Sequence, residues 1–341
     1  MSESDDDTRA DGGSVEQEIF GTGDSGRGPR TSSPQERFRR LMDLYVLSPL
    51  RTAWDDWRAR IGGIGLLFYI LMGTVGVMIV PKPVLNEGPR YLPALVDPQY
   101  PLGTNNVGVD LLKKVVHSTP AMLKMALAGV LFTVGAAVIV GFVAGYKGGT
   151  IDAVLMTFTD IMLTLPALPL VILIAAIYPP EDPFIVGAIL SINRWTGLAR
   201  QIRSQVLTLR EEAYVEASRA MGISTTQIIG RDLFPRMAPF IMISSAFAAN
   251  GVIIGSTALY FLGILPFSTS NWGVMLNYAR RVGGAIQHFS YSGHWLLVPL
   301  LAITGMTFSL VLFGQGMDRV FNPRLRARHS TTTPDTEEDR P

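Results

Sequence analysis

The most polar ordered-looking stretch in the second half of the chain, residues 209–237, reads LREEAYVEASRAMGISTTQIIGRDLFPRM. Residues 204–221 are strong helix formers, and Gly222 follows where a left-handed helix cap requires a residue without Cβ. Residues 224–227 have the spacing of an N-terminal capping box, and Pro235 is expected to end the short helix that follows. The stretch therefore predicts a helix, a turn and a second, short helix.

The composition around this stretch is that of a membrane protein. Of the 341 residues, 48% are hydrophobic and only 17% are charged, and the mean hydropathy is positive. The net charge of +1 provides no general attraction for nucleic acid. The absence of cysteine from the sequence excludes disulfides, iron–sulfur clusters and thiolate zinc sites.

Apolar runs of about 20 residues, the length that crosses a bilayer as a helix, predict an all-α membrane protein with six transmembrane helices. The predicted spans are residues 61–80, 121–145, 153–178, about 183–203, 237–267 and 295–317. The fourth is the weakest, because Arg194 interrupts it. The fifth is longer than a straight crossing needs, so we expect a bend or a re-entrant end.

The distribution of lysine and arginine predicts the orientation, because cytoplasmic loops carry these residues in excess. One side of the predicted membrane carries 17 of them and the other carries 6. The 17 lie in residues 37–60, 147, 200–236 and 319–328, and the 6 lie in residues 82–114 and 280–281. Both termini and the charged stretch are therefore expected in the cytoplasm.

Four regions follow from these patterns. Residues 1–35 are acidic and poor in apolar side chains, which predicts a disordered tail without a cleavable signal. Residues 36–60 alternate apolar and basic positions as amphipathic helices at a membrane interface do. Residues 61–320 form the six-span domain, with the segment 204–236 between spans four and five, and residues 321–341 form a polar tail.

The chemistry of an energy-coupling or catalytic site is missing from the sequence. GYKGGT at residues 145–150 lacks the spacing of a P-loop and predicts a tight turn. The four histidines lack the spacing of metal ligands on a helix, and no nucleophile elbow or HExxH motif occurs. We therefore expect no catalytic residue, cofactor or metal in this chain.

Asp160 and Arg194 are charged residues inside predicted spans, and each has two interpretations. They could form a proton relay or an ion pair, because charges inside membranes are costly. They could instead reach the interface or cap a helix, which we favour. Two G-x-x-x-G patterns, Gly141 to Gly145 and Gly251 to Gly255, predict close helix packing.

The charged stretch resembles the cytoplasmic coupling motif of ABC importer permeases, which is E-A-A, three residues, Gly, and a closing apolar pair with Pro. In this sequence Ser218 stands where Ala is usual, and Leu-Phe-Pro stands for Ile-Leu-Pro. The resemblance implies that the segment docks an ATPase subunit. The residues that carry it are Glu216, Ala217, Ser218, Gly222, Leu233, Phe234 and Pro235.

The likeness covers residues 50–326 and narrows to permeases of the dipeptide and oligopeptide type. YPLGTNNVGVD (100–110) resembles a segment of that family outside the membrane, but Tyr100, Asn105 and Val109 replace its His, Asp and Arg. Further similar stretches are GYKGGTIDAVLMTFTDIMLTLP (145–166), NWGVML (271–276) and FNPRL (321–325).

The resemblance implies a subunit of an ATP-driven importer in the cell membrane, which itself makes no covalent chemistry. Its implied partners are a second homologous permease, two P-loop ATPase subunits that bind ATP and magnesium, a substrate-binding protein and membrane lipid. Peptides are the favoured substrate, with oligosaccharides and metal chelates as alternatives.

Two interpretations from other classes compete with an importer subunit. An ion-coupled secondary transporter would use Asp160 or Arg194, but the paired repeats expected of it are not evident. A structural membrane subunit would have no pathway. Recovery of an ATPase subunit with the purified chain would separate the importer from both.

Overall fold

The computed structural model describes Trp54, residues 56–266 and residues 271–321. The predicted disordered tail, the predicted amphipathic helices up to residue 53 and all but the first residue of the polar C-terminal tail lie outside these residues. Within the described part of the chain the structure is helical, with one isolated β-bridge between Thr104 and Asp110. The predicted all-α class is therefore confirmed for the described residues.

Ten helices follow one another along the described residues. They are α1 (Trp57–Ile79), α2 (Leu111–Lys147), α3 (Gly149–Thr164), α4 (Ala167–Ile177), α5 (Pro183–Leu190), α6 (Trp195–Leu209), α7 (Ala213–Ala220), α8 (Thr225–Leu262), α9 (Trp272–Arg281) and α10 (Phe289–Phe321). Short polar side chains start several of them: Asp56, Asp110, Asp182, Ser224 and Asn271 each accept a backbone N–H of the first turn.

Four helices are long and apolar enough to cross a membrane, namely α1, α2, α8 and α10. The pair α3 and α4 makes a fifth candidate, bent by 82° where the chain passes Leu165 and Pro166. The predicted fourth span falls on α5 and α6, which are separated at residues 191–194. The described residues thus contain four or five candidate spans.

The long helix α2 forms the centre of the bundle and contacts α3, α5, α6 and α8. Its side chains Leu111, Met122 and Met125 are fully buried. On the other side of the core, α10 packs along both α1 and α8. The Trp272 ring of α9 is buried in the same apolar cluster as side chains of α1, α8 and α10. Its Nε1–H donates to the Val115 carbonyl of α2 at 3.3 Å.

The first predicted glycine pattern is confirmed as a close helix contact. A Cβ on Gly141 would lie 2.8 Å from the Ala199 carbonyl oxygen, and one on Gly145 would lie 2.9 Å from the Val206 side chain. These glycines let α2 and α6 approach each other closely. At Gly251 and Gly255 the nearest atoms belong instead to the Arg194 guanidinium, so the second pattern makes room for a side chain.

The loop before α2, residues 80–110, is held largely by its own backbone. The Asn105 Oδ1 accepts the N–H groups of Val107 and Val109 at 3.0 and 2.9 Å. The Tyr100 hydroxyl donates to the Glu87 carbonyl at 2.9 Å. The residues that depart from the family pattern in this loop therefore contribute to its internal structure.

Candidate functional site

The charged stretch runs from the end of α6 through α7 into the first turns of α8, and its helices differ from the prediction in two ways. The predicted continuous helix over residues 204–221 is wrong, because α6 ends at Leu209 and α7 begins at Ala213. The turn between them directs Val215 onto the bundle, where it is fully buried. Burial of this side chain outweighs the helix propensity of residues 210–212.

The second difference concerns Pro235, which does not end a short helix. The chain continues from Thr225 through a π-helical turn, Ile228–Leu233, into the long part of α8. A π turn interrupts the regular backbone ladder, so a proline, which has no N–H, is accommodated directly after it.

The predicted cap at Gly222 is confirmed. Its φ is +74°, in the left-handed region, and its N–H donates to the Arg219 carbonyl at 2.9 Å. The following N–H, of Ile223, donates to the Ser218 carbonyl at 3.1 Å. These two bonds close a helix on a left-handed residue and fix the direction of the chain after α7.

Apolar side chains attach the segment to the bundle. Val215, Ile228 and Leu233 are buried and belong to one cluster. The other buried members of the cluster are Ala137 and Phe142 of α2, Trp195, Ala199, Ile202 and Val206 of α6, and Met237 of α8. The segment is therefore packed against α2 and α6 and continues directly into α8.

Four polar contacts add to this attachment, and no spacing of residues along the chain predicts them. The Ser218 hydroxyl donates to Asp232 Oδ2 at 3.0 Å, so the residue that replaces the usual Ala joins α7 to α8. The other three are Arg236 over the Tyr214 ring at 3.9 Å, Arg219 over the Tyr146 ring at 5.0 Å, and Arg210 Nη1 donating to the Gly145 carbonyl at 3.1 Å.

Tyr214 illustrates how closely the segment is packed. Its hydroxyl is buried and has no hydrogen-bond partner among the described residues. Burial raises the pKa of this hydroxyl. The ring therefore acts as an apolar and cation-binding surface for Arg236.

Opposite the attached side, α7 presents an exposed surface. Met221 is 71% exposed, although methionine is usually buried. The exposed residues of this surface, which we call the candidate docking face, are Glu212, Glu216, Ala217, Ala220, Met221 and Gly222. The remaining predicted site residues lie elsewhere: Ser218 and Leu233 face inward, Phe234 is half-exposed beside Phe142, and Pro235 is exposed.

Two ion pairs connect α6 to α3 above the segment. Arg203 donates to both oxygens of Asp152 at 2.5 Å, and Arg200 Nη2 lies 2.5 Å from Asp160 Oδ1. Asp160 is thus in an ion pair, which belongs to the interpretation that was not favoured for this residue, and its partner is not Arg194. Among the described residues no group of three potential metal ligands occurs.

An all-helical bundle with a packed, externally exposed helix–turn–helix is the architecture expected of a transport permease with a coupling segment. Residues 137–327 match the family model of the binding-protein-dependent transport system inner membrane component. The chain belongs to this family, and it is a multi-pass membrane protein. The resemblance stated from the sequence is confirmed.

Curated relatives support the same assignment. The chain is 30% identical over 319 residues to the dipeptide transport system permease protein DppC of Bacillus subtilis, with 92% of each chain covered. It is 30% identical over 229 residues to the oligopeptide transport system permease protein OppC of Lactococcus lactis, covering 67% of this chain and 76% of the relative. The di/tripeptide permease DppC of Pseudomonas aeruginosa is 28% identical over 298 residues, with 83% and 95% covered.

Proposed function

We propose that this chain forms half of the membrane pathway of an ATP-driven peptide importer, and that segment 204–236 docks an ATPase subunit. The observation that supports docking is the combination of an exposed helix surface with a buried reverse side. A helix that only connected two spans would need neither the cap at Gly222 nor burial of one side against α2 and α6.

The attachment makes α7 suitable as a lever. A force on Glu216 or Ala217 would pass through Val215 to the cluster and through Ser218 to Asp232 of α8. Closure of ATPase subunits on ATP would in this way shift α2, α6 and α8 together and bias the pathway between inward-facing and outward-facing states.

The proposed assembly contains a second homologous permease, two P-loop ATPase subunits that bind ATP and magnesium, and a substrate-binding protein. The family description, which names binding-protein dependence, supports the last of these. Exposed apolar side chains on α3 and α4 provide surface for lipid or the second permease; they include Val154, Phe158, Ile161, Leu168, Leu173 and Ile177.

The proposed topology has six crossings with both termini in the cytoplasm. It counts α3 with α4 as one broken crossing and α5 with α6 as another. The excess of lysine and arginine on the side that carries α7 supports it. Broken helices within a membrane are tolerated where neighbouring protein satisfies the backbone, as where Asn193 Nδ2 donates to the Leu165 carbonyl at 3.3 Å.

Peptides are the proposed substrate because the relatives are named for dipeptides, di/tripeptides and oligopeptides. Oligosaccharides and metal chelates are the second choice. Uptake of a labelled dipeptide by cells that carry the whole system tests this assignment, and uptake of only a sugar or a chelate would contradict it.

A matched pair of glycine variants tests the docking function. Gly222→Val forces a branched residue to φ +74°, whereas Gly230→Val adds the same side chain at a helical position with equally open space. We expect both to insert normally and only Gly222→Val to lose ATPase co-purification from detergent and uptake. Full recruitment by Gly222→Val would mean that the segment is a connector.

A further inference from the structure

Arg194 lies near mid-height of the bundle. The Oγ of Ser191, one turn earlier, is 3.1 Å from where a Cβ on Gly129 would stand. Gly129 is the central residue of α2, about 27 Å along the helix from either end. The Arg194 Nε donates to the Leu190 carbonyl at 3.0 Å, so the side chain points back toward this central level.

The charge of Arg194 is not matched within the described part of the chain. No carboxylate there pairs with it, and its terminal nitrogens have no acceptor. They lie over Gly251 and Gly255 of α8, where the missing side chains leave space. By contrast, Arg200 and Arg203 of the following helix, α6, each bind an aspartate.

A position near mid-height of the bundle argues against a lipid-facing side chain. Arg194 is exposed in the single chain, and a charged side chain at the level of the bilayer centre faces a water-filled cavity or other protein groups. In a protein that forms half of a transport pathway, this leaves the pathway or the second permease as its surroundings, and the unpaired guanidinium over the glycine groove of α8 favours the pathway.

A guanidinium with free terminal N–H groups binds carboxylates in a bidentate manner. Every unmodified peptide carries a carboxylate at its C-terminus. We infer that Arg194, positioned by the Leu190 carbonyl and the Gly251 to Gly255 groove, binds the C-terminal carboxylate of a peptide during passage. This inference rests on the proposed function and adds a substrate-contacting residue to it.

The test uses the complete transporter in cells and compares wild type with Arg194→Met, which removes the charge, and Arg194→Lys, which retains it. Lys82→Met, on the exposed loop before α2, controls for loss of a positive charge. The probes are labelled alanyl-alanine, its C-terminal amide, and C-terminally amidated alanyl-glutamate, whose only carboxylate is in the side chain. For each probe, the uptake of the variant is divided by the uptake of the wild type. The contribution of the steps before membrane passage is the same in both and therefore cancels.

We expect Arg194→Met to lower alanyl-alanine uptake about tenfold or more, because a charge-assisted contact is lost, and Arg194→Lys to lower it less than about threefold. The ratios for both amides should stay near one. If the wild type does not transport the amides, the inference is tested by alanyl-alanine uptake alone, compared between Arg194→Met and Arg194→Lys. A loss confined to alanyl-alanine and amidated alanyl-glutamate together would overturn the assignment to the C-terminus.

A second pair of variants leaves the arginine in place. A Cβ on Gly251 would collide with Nη1, whereas one on Gly255 would lie 3.2 Å from Nη2, so Gly251→Ala should lower alanyl-alanine uptake more than Gly255→Ala. Equal effects would contradict the proposed position of the guanidinium.

The remaining outcomes separate this inference from the proposed function. If wild type takes up alanyl-alanine and Arg194→Met is unaffected, the inference alone fails. If Arg194→Met no longer co-purifies with the second permease, Arg194 is an assembly contact and the inference is overturned. If wild type takes up no peptide, the proposed substrate fails first.

Discussion

At the end of the bundle that carries α7, side chains of different helices bind one another, whereas at the opposite end the loop before α2 binds mainly its own backbone. Arg203 joins α6 to α3, and Ser218 joins α7 to α8. Asn105 and Tyr100 instead hold their own loop. Contacts between helices can transmit a displacement, while contacts within a loop preserve its shape. The α7 end is therefore the end suited to coupling.

Among the polar contacts at the two ends, the largest effect is expected from the half-buried pair of Arg203 and Asp152. Arg203→Met leaves the carboxylate without both charge-assisted bonds, which costs on the order of 2 kcal/mol and loosens α6 from α3. We expect uptake to fall at least about tenfold while the chain stays inserted. The exchange Asp152→Arg with Arg203→Asp should restore part of it. Unchanged uptake in Arg203→Met would mean that this ion pair does not contribute to coupling.

A smaller effect, of another kind, is expected at the opposite end. Asn105→Ala leaves the N–H groups of Val107 and Val109 without their acceptor, which costs about 1 to 3 kcal/mol. Thermal stability should fall while ATPase co-purification remains normal. Asn105→Asp, which keeps the acceptor oxygen, is the matched control. Loss of ATPase recruitment in Asn105→Ala would contradict the view that only the α7 end serves coupling.

Ser218→Ala should have a modest effect, because it removes one hydrogen bond between α7 and α8 and restores the residue usual in the family motif. We expect a loss of about 1 kcal/mol in thermal unfolding and uptake within about threefold of wild type. A loss of uptake as large as that of Arg203→Met would mean that this single bond dominates the coupling path.

The smallest effect is expected at the exposed pair of Arg200 and Asp160, whose side chains are 49% and 59% exposed. Exposed ion pairs contribute less than about 1 kcal/mol, so Arg200→Met should change uptake by less than about twofold. Because Arg200 lies on the same helix as Arg203, the two methionine variants form a matched comparison. Equal losses would show that burial does not set the importance of these pairs.

The sequence predicted most of what depends on local pattern. Uncharged runs indicated α1, α2 and α10, and the left-handed cap at Gly222 followed from glycine chemistry alone. Helix limits were less accurate: α2 begins at Leu111 rather than 121, because a helix can continue past Lys113 and Lys114 beyond its apolar part.

Features that depend on tertiary contact could not be predicted. The break at residues 210–212 results from burial of Val215, and Asp152 pairs with a residue 51 positions away. The sequence marked Arg194 as unusual, but only the structure shows its guanidinium over Gly251. The docking role of Glu216 and Ala217 stays a prediction.

Cross-linking from single cysteines tests that role most directly, because the chain has no cysteine of its own. A photo-cross-linker attached to Ala217→Cys on the candidate docking face should join this chain to an ATPase subunit. The same reagent on Lys82→Cys, in the loop before α2, should not. An adduct from Lys82→Cys and none from Ala217→Cys, with both chains assembled, would contradict the account.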